Sequence, residues 1–137
     1  WAPDVFICND WQTSFIPTLL QKKFIKEDFY SSMKSVYLIH SVNNYRKYSK
    51  STYDMLGLTP NQSGTLVDNH IMAIENSDLT IAINYESSQL MDKMKKQSKL
   101  YKAFESNDSL VIDIPNKANR EVWEKASNTI ESACRKL

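Results

Sequence analysis

Four short apolar runs punctuate the chain, and between them apolar positions recur at helical spacing. Val5-Phe6-Ile7-Cys8, bounded by Pro3 and by Asn9-Asp10, reads as a buried strand. Residues 35–39 (SVYLI) form a second such run ending at His40. Residues 79–83 (LTIAI) are near-continuously apolar, which suits a strand covered on both faces. Residues 109–114 (SLVIDI) make a fourth, ended by Pro115. A helix is predicted over 13–24, carried by Phe15, Ile16, Leu19, Leu20 and Phe24, with Asn9, Asp10 and Thr13 as possible N-caps and Pro17 in its first turn. A short helix over 52–56 is stopped by Gly57 and Pro60, and a third covers 66–76. A long amphipathic helix is predicted over 85–105, with Leu90, Met91, Met94, Leu100, Tyr101 and Phe104 facing inward. In a last helix over 118–137, Val122, Trp123, Ala126, Ile130, Ala133 and Leu137 share the buried face. Strand and helix alternate throughout, which predicts an α/β fold with a mostly parallel sheet and helices on both of its faces.

Composition narrows the function classes. Seventeen basic residues against 16 acidic ones give a net charge of +1, which argues against a dedicated nucleic-acid binder. The one basic cluster, Lys93, Lys95, Lys96, Lys99 and Lys102, reads as a solvated helix face. No apolar run approaches the ~18 residues of a transmembrane helix. A start at Trp1 in place of Met points to sequence upstream, and no secretory signal is visible. Cys8 and Cys134, at opposite ends, read as two buried free thiols, and with only two His they fit no metal-ligand spacing. Gly57 and Gly64 are the only glycines, so there is no phosphate-cradling loop, no P-loop and no nucleophile elbow. No metal or cofactor is implied.

Ligands of parallel sheets bind beyond the carboxyl ends of the strands. Here those ends are Asn9-Asp10, His40-Ser41, Asn84-Tyr85 and Pro115-Asn116. Asp10 is either a helix cap or a carboxylate that binds a hydroxyl or acts as a base. His40 is either a satisfied, partly buried histidine or a hydrogen-bonding and acid/base group. His70 lies inside a helical stretch and reads as structural.

Residues 3–20 (PDVFICNDWQTSFIPTLL) resemble the starch synthase run "PDVxHxHDWHTAxxPxLL" of glycosyltransferase family 5, with Asp10, Trp11 and Pro17 at matching places. Residues 38–48 (LIHSVNNYRKY) resemble "IHNxxYQGxF", and residues 55–60 (MLGLTP) resemble "LLGLP". Residues 69–90 are similar to "KAGxxxADxVTTVSPxYAxEI", and residues 113–126 (DIPNKANREVWEKA) carry a fainter likeness to "GIxNGxDxxxWNPA". The resemblance implies residues 1–137 as one partial unit, the later half of the Rossmann-like N-terminal domain of a GT-B starch or glycogen synthase. It implies sugar-contacting roles for Asp10, His40 and Asn116.

The chain also departs from the family pattern. Ser41 replaces Asn, Asn44-Tyr45-Arg46 replaces Tyr-Gln-Gly, Lys117 replaces Gly, and Glu124-Lys125 replaces Asn-Pro. The family's Lys-Thr-Gly-Gly motif and its donor-binding C-terminal domain lie outside these residues. Three functions therefore stand side by side. The first is a degenerate, non-catalytic synthase-like domain serving as a structural subunit with a protein partner. The second is the ordered piece of an active synthase that takes a nucleotide sugar and an α-glucan. The third is a glucan-binding module. A plastid location is suggested by the resemblance alone, with the cytoplasm as the other setting.

Overall fold

The computed structural model describes residues 3–42 and 47–137. The departure at Asn44-Tyr45-Arg46 lies outside the described residues. Four parallel strands, β1 (Val5–Asn9), β2 (Lys34–Ile39), β5 (Leu79–Tyr85) and β6 (Ser109–Ile114), form a sheet in the order β1-β2-β5-β6. Each new strand is added on the same side of the last, so right-handed crossovers place the intervening helices on one face. Those helices are α1 (Phe15–Leu19), α2 (Lys50–Met55), α3 (Asn69–Asn76), α4 (Leu90–Lys95) and α5 (Ser98–Ser106). The last helix, α6 (Arg120–Cys134), follows β6 and covers the opposite face. The three-layer α/β arrangement expected from the alternation is present, with all four predicted strands.

Two cores result, one on each face of the sheet. Cys8, Tyr37, Ile39 and Ala82 meet Ile71 and Ile74 of α3, Leu90 and Met94 of α4, and Leu100 and Phe104 of α5. Val36, Ile81, Ile83, Ile112 and Ile114 point the other way and meet Ala126, flanked by Val122, Ile130 and Cys134. Alternate residues of β2 and β5 thus feed both cores, as the period-2 geometry of strands requires. A third cluster, Tyr53, Leu58, Val67 and Met72, ties α2 and the antiparallel ribbon of β3 (Lys47–Ser49) and β4 (Leu66–Asp68) to α3.

Several expectations are corrected. The predicted helix over 66–76 begins at Asn69, because residues 66–68 pair as β4 and Asp68 turns to cap α3, accepting from the Ile71 N–H. The single helix over 85–105 is two helices, separated at Gln97, whose ψ of 78° departs from the helical range and breaks the ladder. The segment 13–24 is composite: a 3-10 turn (Trp11–Thr13), then α1, then a π turn (Leu20–Phe24). In α6 the core-facing series is Val122, Ala126, Ile130 and Cys134, at four-residue spacing, with Ala126 buried and the others partly so. Trp123 lies about 100° further round the axis and is 47% exposed, and Leu137 lies beyond the helix, also exposed. Cys8 is buried, but Cys134 is only half-buried. The stop at Gly57 is as expected: its φ of 69° is the left-handed conformation that closes a helix. No helix among the described residues is long and apolar enough to cross a membrane.

Candidate functional site at the carboxyl edge of the sheet

Because the four strands are parallel, Asp10, His40, Tyr85 and Asn116 all lie at or just past one edge of the sheet. Three strand spacings separate the first from the last, ~14 Å at about 4.8 Å per spacing. That row is long enough to follow an extended ligand.

Asp10 has a backbone conformation of φ 57° and ψ −168°. This region is populated almost solely by glycine and costs a side-chain-bearing residue on the order of 1–3 kcal/mol. The surroundings over-determine it. Its N–H donates to the Leu38 carbonyl (2.8 Å), and its own carbonyl accepts from the Thr13 N–H (3.1 Å). Its carboxylate accepts from the Trp11 N–H at 3.0 Å. The cap reading from the sequence therefore holds, for the 3-10 turn. A cap alone does not require this strain, since caps ordinarily adopt extended backbone. The carboxyl is pushed above its usual range by burial, while the Trp11 N–H and the nearby His40 pull it back.

His40 follows β2, the strand adjacent to β1, and is half-buried. Its Nε2 lies 2.8 Å from Oδ1 of Asn9. An amide oxygen only accepts, so Nε2 is the donor in this contact and Nδ1 is left to face other groups. The imidazole also stacks on Tyr85, with centroids 6.1 Å apart and planes at 24°. Tyr85 in turn meets Trp123 at 6.3 Å and 54°. Three rings thus run along the edge from β2 to α6.

Asn116 is exposed on the β6 side of this row, with its backbone N–H donating to the Glu86 carboxylate at 2.9 Å. Lys117, where the family pattern has glycine, needs no glycine-only conformation. Among the described residues only Asp10 and Gln89 combine a side chain with a left-handed φ. Asp10 and His40 are brought together. Asn116 is not in contact with them and is linked to them by the aromatic row. His70, read as structural, is fully buried in the core against Tyr37.

The strand-end rule already places Tyr85 at this edge, but neither its ring contacts nor Trp123 is predicted by the sequence. The helical spacing assigns Trp123 to the core, although the four-residue series of α6 leaves it to one side.

A family model described as the starch synthase catalytic domain matches residues 1–103. The glycogen synthase of Clostridium kluyveri is 32% identical over 107 residues, covering 77% of this chain and 21% of that protein. That of Desulforudis audaxviator is 40% identical over 58 residues, covering 42% of this chain and 12% of that protein. That of Clostridium botulinum strain Eklund 17B is 49% identical over 43 residues, covering 31% of this chain and 9% of that protein. The chain thus spans about a fifth or less of the length of these relatives.

Proposed function

Since this chain belongs to the starch synthase catalytic domain family, we propose that its carboxyl edge is a glucan-contacting wall. It would form the N-terminal side of a cleft in which glucose passes from a nucleotide sugar to an α-glucan. In this reading residues 1–137 act as one partial N-terminal-domain unit. Asp10 and His40 orient sugar hydroxyls, and Asn116 contributes an amide further along. Catalysis in such a cleft comes from positioning and from charge stabilisation within a desolvated site, and these side chains supply both in part.

The observation that carries the reading is the backbone of Asp10. Strain retained at a carboxylate beside a histidine, at the ligand-binding edge of a parallel sheet, is what a functional position looks like.

A second reading is a non-catalytic family member used as a structural or interaction subunit. Ser41 in place of Asn and Lys117 in place of Gly favour it. The test is an assay of the protein isolated from its source. Transfer of labelled glucose from a nucleoside diphosphate sugar to maltopentaose supports the first reading. Maltopentaose binding without transfer leaves a glucan-binding module. Neither transfer nor binding leaves the structural subunit.

A further inference from the structure

Beside Asn116 the surface opens into a notch of about 220 Å³. It is lined by the aromatic residues Tyr85 and Trp123, by Ile114, Pro115 and Ala118, and by the polar residues Ser87 and Asn116. None of these side chains is charged. Trp123 lines it and is 47% exposed overall, although it sits on the helix that covers the core. Its ring is held against Tyr85, and Tyr85 is held against His40, so the indole is positioned and not merely loose on the surface. Among the described residues the Asn116 carboxamide makes no hydrogen bond within the protein, while its backbone is fixed by Glu86.

An aromatic face, a neutral amide and a hydroxyl, with no cation, make a poor site for a phosphate and a good one for a hexose. The axial C–H groups of a pyranose pack on an aromatic ring, and its equatorial hydroxyls need neutral donors and acceptors at the rim. The notch lies at the far end of the row that begins at Asp10, so one ligand can reach both. We propose that Trp123 and Tyr85 form a stacking subsite for one glucosyl ring of an α-glucan, with Asn116 and Ser87 binding its hydroxyls. This rests on the glucan-contacting reading of the edge and adds to it a subsite on α6.

The test is titration of the chain with maltopentaose, following the indole Nε1–H signal of Trp123, which Trp123→Phe identifies by its loss. The expected result is a saturable shift of that signal. Trp123→Ala should weaken binding roughly tenfold, the size of one stacking contact, while Trp123→Phe stays within about threefold. If His40→Ala abolishes binding but the Trp123 signal never moves, the subsite is wrong and the edge reading stands. If maltopentaose does not bind the chain at all, both are overturned. If a nucleoside diphosphate moves the Trp123 signal and maltopentaose does not, the notch takes a base and the proposal fails. Should Trp123→Ala prove unstable in a thermal melt, the indole signal of the unaltered chain decides.

Discussion

Tyr37 of β2 and His70 of α3 meet in a 2.8 Å hydrogen bond between the phenol oxygen and Nδ1, and both residues are fully buried. The bond joins the sheet to the helix layer. Burial pushes the Tyr37 hydroxyl far above its usual range and drops the His70 imidazole to about 4, so both are neutral at pH 7. Tyr37→Phe keeps the ring and removes the hydroxyl, leaving Nδ1 buried without that partner. The expected cost is about 1–3 kcal/mol, read as a lower urea midpoint at unchanged slope. An unchanged midpoint would mean that the pair contributes nothing net.

Asp68 and His70, two residues apart, titrate in opposite senses. Burial is the larger cause in both, raising the Asp68 carboxyl to about 6 and lowering His70 to about 4. Asp68 has a folded pKa above its unfolded one, so its contribution is fully present below about 3.8 and is lost as pH rises through 6. His70 has a depressed folded pKa, so its contribution is present above 6.5 and is lost as pH falls through 4. The two slopes oppose each other across pH 4–6.5. Asp68→Asn, which preserves the cap on α3, therefore unmasks the His70 slope. Relative to the unaltered chain, the variant loses stability as pH falls from 6.5 to 4. His70→Gln gives the reverse sign. Parallel urea curves at several pH values check this, and variants that track the unaltered chain at every pH would sink it.

Asp10 supplies a sharper test of strain. Glycine ordinarily destabilises relative to alanine by ~0.5–1 kcal/mol, through the entropy of the unfolded chain. At φ 57° and ψ −168° the order should invert. Asp10→Gly is expected to be more stable than Asp10→Ala by about 1–2 kcal/mol, because only glycine adopts this backbone without cost. Both lose the carboxylate, so under the glucan-contacting proposal both should lose maltopentaose binding alike. Equal stabilities of the two variants would show that the backbone relaxes when the carboxylate is removed.

What could be read from the sequence follows from where packing agreed with local pattern. β5 and the paired positions Leu90, Met94, Leu100 and Phe104 were legible because each is apolar where the fold buries it. The break at Gln97 was not, because no Gly or Pro marks it and the apolar spacing continues across it. β4 was missed because Leu66, Val67 and Ile71 also fit a helix. Its pairing with β3 is a contact between distant segments that no local window contains. For the site, strand ends located Asp10, His40 and Asn116. The aromatic row was hidden because ring contacts between β2, β5 and α6 leave no trace in spacing.

Asn9 is a positioning residue if the glucan-contacting reading is right. Its side chain reaches His40 from the neighbouring strand, and the 2.8 Å contact fixes which imidazole nitrogen carries the proton. Asn9 is solvent-exposed, so Asn9→Ala should change stability by no more than about 0.5 kcal/mol. Its effect should appear in binding. With the tautomer and ring rotation released, maltopentaose affinity is expected to fall by roughly fivefold, about 1 kcal/mol. In a chain that already carries His40→Ala, the same substitution has nothing left to orient and should cost almost nothing further. The double variant should therefore bind as His40→Ala does, giving a coupling energy of about 1 kcal/mol. Full additivity of the two losses would mean that Asn9 touches the ligand itself, and the hydrogen bond to His40 would then be incidental to binding.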